Sequence, residues 1–216
     1  LSVSVLLLAA CAQVGEPKPE QKKSLKVLSI GNSFSESLRV YFPAAVASVP
    51  GCSVEFENLM IGGCPLKRHW ENIEKEEADP SYRYFKTFSY KEKLQGKKWD
   101  VVTIQQASGD SWNYDTYTPY ARNIRDFVKK HAPQAEVVIQ QTWAYRQDEP
   151  RLGKWGMTQE EMFNRLFDAY KKAGADLNLR IIPTGSAVQL VRETQPVKYK
   201  PFNAGDYKYP ALPDTT

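Results

Sequence analysis

Three serines follow a short apolar run near the start of the chain, in the stretch KVLSIGNSFSES at residues 26–37. The run ends at a glycine, and Ser33, Ser35 and Ser37 occupy alternate positions after it. A serine hydroxyl becomes an effective nucleophile when a base takes its proton, and a turn from a strand into a helix presents it beside free backbone N–H groups. The stretch therefore carries a nucleophile, cradles a phosphate, or caps a helix.

The elements around this turn alternate between short apolar runs and amphipathic stretches. Predicted strands cover residues 25–30, 53–61, 99–106, 135–143 and 179–185, and predicted helices cover residues 35–49, 66–78, 119–133 and 158–175, while residues 82–96 are ambiguous. Strands that alternate with helices form parallel sheets with right-handed crossovers. We therefore expect an α/β fold, a flavodoxin-like three-layer sandwich whose five-stranded parallel sheet carries helices on both faces.

In such a sheet the functional crevice lies beyond the carboxyl ends of the strands. The segments at those positions are residues 31–35, 62–69, 105–112, 141–146 and 184–189. They are rich in Ser, Gly, Gln and Trp, which is a composition typical of a binding or catalytic site. We expect any activity to be located at this edge.

The blocks IGNSFS, NLMIGGCPLKRHW, WDVVTIQQAS, QTWAY and IIPTGSA together resemble the SGNH/GDSL hydrolases, and within them a poorly characterised bacterial branch of exported proteins. That family begins with Gly-Asp-Ser, and here Asn32 replaces the aspartate. The resemblance spans roughly residues 26–190. It implies that Ser33 is the nucleophile of an ester hydrolase.

The same resemblance implies an oxyanion hole built from backbone and side-chain donors. The N–H of Ser33 would be one donor, and the second block would supply a glycine N–H from Gly62 or Gly63, of which we prefer Gly63. The third block of the family supplies an asparagine, and this sequence has Gln105 and Gln106 instead. Neighbouring strand residues point to opposite faces, so we expect one of them at the site, with Gln106 preferred.

The catalytic base of the family lies in an Asp-x-x-His block that this sequence does not contain. The chain has two histidines. His131 ends a predicted helix at the opposite edge of the sheet, and His69 lies at the correct edge but is a better candidate for a substrate or structural contact than for the base. No helix is predicted after the fifth strand. We therefore expect the sequence to be a fragment cut before Asp-x-x-His.

Aromatic and polar residues near the strand ends suggest a carbohydrate ligand, because sugar rings stack on flat aromatic faces. The candidates for substrate binding are Asn32, Trp70, Trp112, Trp143, Tyr145 and Arg146. The alternative is that the rings fill the core and wall the sheet edge. A glycan ester, above all an acetyl ester, is the expected substrate.

The first residues, LSVSVLLLAAC, are too few to cross a bilayer and resemble the apolar part of a signal peptide. Leu8-Ala9-Ala10-Cys11 resembles a bacterial lipobox. We expect a signal-peptide remnant at residues 1–11, a linker at residues 12–24 and one domain at residues 25–216. Lipidation of Cys11 would anchor an exported protein at the bacterial cell envelope. Cys52 and Cys64 flank a predicted strand and are expected to be free, mostly buried thiols.

The formal charge of +4 over 216 residues is small and scattered, which argues against a nucleic-acid partner. The histidines and cysteines show no metal-ligand spacing, and no cofactor is indicated. The sequence carries no signal for an oligomeric state. Two other functions stay open: a non-catalytic carbohydrate-binding protein on the same fold, and a flavodoxin-like binder of phosphate or a cofactor.

Overall fold

The computed structural model describes residues 23–194 and has one five-stranded sheet at its centre. The strands are β1 (Lys23–Gly31), β2 (Cys52–Met60), β3 (Val101–Ile104), β4 (Glu136–Gln140) and β5 (Arg180–Ile182). Their order is β2-β1-β3-β4-β5, and every neighbouring pair is parallel. The predicted fold class is confirmed, because all five strands are parallel and helical segments connect each strand to the next.

Seven α-helices accompany these strands within residues 23–194. They are α1 (Glu36–Ala47), α2 (Leu66–Ala78), α3 (Tyr90–Gln95), α4 (Tyr120–His131), α5 (Pro150–Trp155), α6 (Gln159–Leu177) and α7 (Thr184–Thr194). The four predicted helices correspond to α1, α2, α4 and α6, and α3 lies in the ambiguous stretch. Helix α5 was not predicted. Helix α7 corrects the expectation that no helix follows the fifth strand.

Helix α6 begins as its sequence indicates but ends later than expected. Thr158 and Glu161 form a capping box, each side chain accepting from the backbone N–H of the other residue. The helix ends at Leu177, two residues after the predicted end. Near that end Gly174 allows close packing, since a Cβ there would lie 3.0 Å from Cδ1 of Ile181.

The two faces of the sheet differ in chemistry. Leu28, Ile30 and the equivalent residues of β3 and β4 point into a fully buried apolar core, which α2, α4 and α6 cover. On the opposite face lie buried polar side chains, among them Ser29 and its register partner Thr103. Helix α1 packs on β2 at that face, where Glu36 accepts a hydrogen bond from Asn58. Helices therefore cover both faces.

The two cysteines within the described residues are free, as predicted. Cys64 is fully buried, and burial raises the pKa of its thiol to about 12. Cys52 is partly buried, so both thiols are mostly buried, as expected. They stay apart because Cys52 begins β2 and the rest of that strand, up to Met60, runs between them.

The proposed signal-peptide remnant with Cys11 lies outside the described residues, as do residues 195–216. The predicted linker at residues 12–24 overlaps β1 by two residues, because the strand already begins at Lys23. Within residues 23–194, no helix combines the length and hydropathy that a bilayer crossing requires.

Candidate active site

Ser33 begins a 3-10 turn, Ser33–Ser35, that joins β1 to α1 at the carboxyl edge of the sheet. Ser33 is exposed, and neither its hydroxyl nor its N–H has a hydrogen-bond partner among residues 23–194. The other two serine hydroxyls bind within the protein. Ser35 is buried with its Oγ 2.6 Å from the Asn32 carbonyl oxygen, and Ser37 donates to the Phe34 carbonyl at 2.8 Å. Only the Ser33 hydroxyl is available to a substrate.

The side chain of Asn32 forms hydrogen bonds with three loops beneath Ser33. Its Oδ1 accepts from the N–H of Phe34 at 3.1 Å and so caps the 3-10 turn, while its Nδ2 donates to the carbonyl oxygens of Cys64 at 3.1 Å and Gln106 at 3.3 Å. Those two residues lie in the loops after β2 and β3. Asn32 is 1% exposed. The expectation that its side chain contacts substrate is therefore corrected: it joins the loops that form the site.

The Gly62–Gly63 turn lies beside Ser33, because both of its flanks are bonded to the serine turn. On one side the Ile61 N–H donates to the Gly31 carbonyl at 3.1 Å, and on the other the Cys64 carbonyl accepts from Asn32. Both glycines are exposed, and neither N–H is bonded to a described residue. Gly63 has φ +61°, a left-handed conformation that favours glycine. Both N–H groups are therefore free to bind an anionic oxygen, and the preference for Gly63 stays a prediction.

The two glutamines after β3 have different surroundings. Oε1 of Gln106 accepts from the N–H groups of Leu66 at 3.0 Å and Ala107 at 2.8 Å, and its Nε2 donates to the carbonyl and hydroxyl oxygens of Thr116 at 2.9 and 3.0 Å. Gln106 thus caps the start of α2, with both amide hydrogens already bonded. The preference for Gln106 as an oxyanion donor does not fit this arrangement.

Gln105 is the glutamine that contacts the serine turn. It is fully buried, and its Oε1 lies 3.4 Å from the Asn32 N–H that donates to it. A Cβ on Gly31 would lie 3.0 Å from the same Oε1. Among residues 23–194, no atom forms a hydrogen bond with the Nε2 of Gln105. Of the two glutamines, Gln105 is therefore the one with an uncommitted donor beside the turn.

His69 is held inside the protein and does not face Ser33. It is fully buried, with Nε2 3.0 Å from the Gly31 carbonyl oxygen and Nδ1 2.8 Å from the Tyr90 hydroxyl. Burial lowers the pKa of its imidazole to about 4. Both ring nitrogens are occupied, so the possible role of His69 as the catalytic base is not supported and the structural role is.

His131 ends α4 at the amino edge of the sheet, as predicted. Its ring packs on Phe127 with a centroid distance of 4.5 Å. Burial and the nearby Lys130 ammonium lower its pKa. Two depressions also lie at this edge; one, of about 420 Å³, is lined by Arg125, Arg180 and their neighbours. They are on the far side of the molecule from Ser33.

Of the aromatic residues predicted to bind substrate, Trp143 comes nearest to the serine turn. Its ring packs on Phe34, the residue after Ser33, with centroids 4.2 Å apart. Trp143 is partly exposed, so it forms part of a wall beside the serine. Trp70 instead packs against the hydrophobic core.

Tyr145 and Trp112 meet in a second aromatic cluster, which we call the Trp155 cluster after its central residue. Trp155 stacks on Tyr145 at 5.8 Å and contacts Trp112 at 5.7 Å. Arg151 lies over the Tyr145 ring and donates to its hydroxyl at 2.8 Å. Sequence reasoning missed Trp155 and Arg151, both in α5. Proline at the first helical position and Gly156 after the last residue were the signal for that helix.

Arg146 was predicted to bind substrate, and its guanidinium instead forms a two-pronged ion pair with Asp148, at 3.0 and 2.7 Å. This pair spans two residues of the loop after β4. The arrangement gives Arg146 a local partner, and substrate contact by this residue stays a prediction.

Comparison of the sequence with family models, and of the fold with solved structures, shows which family the chain belongs to. Residues 26–210 match the family model described as "Domain of unknown function (DUF4886)". The chain belongs to the DUF4886 family. A DUF4886 protein from Bacteroides uniformis ATCC 8492, solved by crystallography, is 29% identical, with a TM-score of 0.69 over 79% of this chain and 71% of that one. No curated protein matches the sequence.

Two further solved structures relate this DUF4886 chain to a wider fold. A proposed SGNH hydrolase from Slackia heliotrinireducens is 24% identical, with a TM-score of 0.55 over 78% of this chain and 83% of that one. A proposed GDSL-like lipase from Parabacteroides merdae ATCC 43184 is 17% identical, with a TM-score of 0.50 over 85% and 88%. The fold of the DUF4886 chain is therefore that of the SGNH hydrolases, as the sequence blocks predicted.

Proposed function

We propose that this protein is a serine ester hydrolase whose nucleophile is Ser33. One arrangement supports the proposal: Ser33 is exposed in a turn that hydrogen-bonds to both flanks of the Gly62–Gly63 turn, and the N–H groups of Ser33, Gly62 and Gly63 have no partner among residues 23–194. Such donors stabilise the negative oxygen of a tetrahedral intermediate, and removing one typically raises the barrier by about 3–4 kcal/mol. A helix cap would need neither an exposed hydroxyl nor a neighbouring glycine turn.

The chemistry follows from these groups. The Ser33 oxygen attacks the carbonyl carbon of an ester while a base takes the hydroxyl proton. The carbonyl oxygen becomes negative and accepts hydrogen bonds from the Ser33 and Gly63 N–H groups, while the buried Gln105 side chain accepts from the Asn32 N–H beneath the turn. The alcohol then leaves with a proton, and water hydrolyses the acyl-serine, which returns the enzyme and a carboxylic acid.

The base is the missing part of this mechanism. His69 is bonded through both ring nitrogens, and His131 lies at the opposite edge of the sheet. The family resemblance implies an Asp-x-x-His base, so the activity is assigned to the product of the complete gene.

For the substrate we propose an acyl ester of a carbohydrate, acetyl esters above all. Support comes from the ring of Trp143 beside the nucleophile turn and from the Trp155 cluster in the loops after β3 and β4. We further propose that the protein is exported and held at the cell envelope by lipid on Cys11. Metabolic labelling with palmitate tests this last point, since labelling must disappear in Cys11→Ala.

The decisive experiment is hydrolysis of p-nitrophenyl acetate by the complete gene product. Ser33→Ala is expected to abolish turnover, and Ser37→Ala, a matched control whose hydroxyl serves only the Phe34 carbonyl, is expected to retain it. Equal rates for Ser33→Ala and the parent protein would refute Ser33 as the nucleophile. Acetylated xylan or another acetylated glycan then tests the substrate class.

A non-catalytic carbohydrate-binding protein is the second candidate. It is favoured by the finding that, within residues 23–194, no histidine is positioned as a base for Ser33. It predicts glycan binding that survives Ser33→Ala and no ester turnover by the complete gene product. The phosphate-binding alternative is weaker, because Ser35 and Ser37 direct their hydroxyls to backbone oxygens.

A further inference from the structure

His69 is a fully buried titratable group that the mechanism above does not use. Its Nε2 lies 3.0 Å from the Gly31 carbonyl oxygen, which can only accept a hydrogen bond, so Nε2 carries the proton. Nδ1 is then the acceptor, and the Tyr90 hydroxyl at 2.8 Å is its donor. The two contacts together select one tautomer of the imidazole.

The carbonyl that His69 binds belongs to the peptide group directly before the nucleophile turn. Its oxygen also accepts from the Ile61 N–H at 3.1 Å, and the N–H of the same peptide, on Asn32, donates to Gln105 at 3.4 Å. A peptide group is planar, so holding its oxygen and its hydrogen sets its orientation. The direction of the next N–H, that of Ser33, depends on that orientation.

Tyr90 is itself fixed by its surroundings, so its hydroxyl holds the imidazole of His69 in one orientation. The tyrosine is fully buried at the start of α3, where its N–H donates to Glu76 at 2.7 Å. Burial lowers the pKa of His69 and raises that of Tyr90, which keeps both groups neutral near pH 7. A neutral imidazole keeps the acceptor nitrogen that the tyrosine hydroxyl needs.

We propose that His69 is a positioning residue: its imidazole, aligned by Tyr90, holds the peptide group before Ser33 and so aims the Ser33 N–H at the developing oxyanion. Its effect on turnover depends on the proposed hydrolase function, whereas its effect on the turn does not. His69 touches neither substrate nor the reacting atoms. A small rotation of an oxyanion donor is enough to matter, since a misplacement of about 1 Å can slow an enzyme by about 100-fold.

Three substitutions in the complete gene product test the role. His69→Gln keeps an N–H donor in place of Nε2, His69→Met removes it at similar volume, and Tyr90→Phe removes only the hydroxyl that aligns the ring. We expect kcat for p-nitrophenyl acetate to fall by about 100-fold in His69→Met and by about 10-fold in the other two, with KM unchanged. His131→Gln is the control and is expected to leave kcat unchanged.

Nuclear magnetic resonance separates this role from the activity. With ¹⁵N-histidine labelling and His69→Gln as the reference, the ring signals that disappear in the variant identify His69; we expect the Nε2–H tautomer, weakened in Tyr90→Phe. The amide signals of Asn32 and Ser33 are expected to shift in His69→Met and to return in His69→Gln. If His69→Met does not fold, Tyr90→Phe decides by the same amide signals.

The outcomes are distinct. An Nδ1–H tautomer, or Asn32 and Ser33 amides that do not move in any folded variant, overturns the positioning role whatever the activity. A rise in KM with constant kcat overturns it as well, because it indicates substrate contact. An inactive parent protein whose amides do respond refutes the hydrolase function and leaves the support of the turn established.

Discussion

Replacing the two glutamines after β3 one at a time should have very different effects on stability, although they are neighbours and both fully buried. We choose Gln106→Met and Gln105→Met, because methionine keeps the volume of the side chain and removes its hydrogen-bonding groups. The comparison tests whether Gln106 is the structural residue of the pair and Gln105 the one free to serve the site.

The magnitude follows from the contacts. Gln106→Met leaves the Leu66 and Ala107 N–H groups without their acceptor, at residues that are 0% and 7% exposed. Each buried unsatisfied group costs about 1–3 kcal/mol, which amounts to about 2–6 kcal/mol of a total stability of about 5–15 kcal/mol. Gln105→Met leaves one buried N–H, that of Asn32, without its long bond, and removes an Nε2 that has no partner among residues 23–194, so we expect a loss at the low end of that range, about 1 kcal/mol.

Urea unfolding followed by circular dichroism and tryptophan fluorescence measures the difference. We expect Gln106→Met to be less stable than Gln105→Met by at least about 2 kcal/mol, or about 4–8 °C in Tm for a chain of this size. Activity should follow the opposite order among folded variants, with kcat reduced by Gln105→Met. Equal unfolding midpoints, or a stable Gln106→Met with low kcat, would refute the assignment and restore Gln106 to the oxyanion hole.

Three further outcomes check the fold itself. Gly185→Ala should lower the free energy of unfolding by about 3 kcal/mol, because its Cβ would lie 2.0 Å from the backbone oxygen of Thr142. Gly153→Ala should raise the free energy of unfolding by about 1 kcal/mol, because Gly153 lies in a helix and its Cβ would have nothing within 4 Å. Thermal unfolding of both variants measures these changes. Thr158→Ala should cost about 1 kcal/mol in the same assay, through loss of the α6 capping box. Iodoacetamide at pH 8 should label Cys64 only after unfolding, since a pKa raised to about 12 leaves little thiolate in the native protein; mass spectrometry of the peptides before and after urea measures this.

The strands and the long helices were predictable because their hydrophobic periodicity is strong. Helix α2 has the predicted bounds, Leu66–Ala78, and α6 carries a recognisable capping box. The short helices were harder. Helix α5 has six residues, too few for a periodic pattern, and is defined by its Pro150 start and Gly156 end. Helix α7 begins within a segment that was interpreted as a loop after β5, because its first residues, Thr-Gly-Ser, are typical of turns.

The position of the site could be predicted from the order of the elements, since parallel strands bring their carboxyl ends to one edge. The roles of individual side chains could not. Asn32, Gln105 and Gln106 are all amides near one another in the fold, and their hydrogen-bond partners lie between 32 and 74 residues away along the chain in the decisive contacts. Which amide is committed to the framework depends on those tertiary partners, which no local pattern encodes.

Strand β1 runs from one edge of the sheet to the other, with Lys23 at its start and Gly31 at its end. Its eight steps of about 3.3 Å separate the two ends by about 26 Å. Any segment joined to the chain ahead of Lys23 is therefore attached at the end of the strands opposite to Ser33. Attaching the protein to a bead or sensor chip at Lys23 itself would leave Ser33 directed toward the bulk solution, where large polymers could reach it.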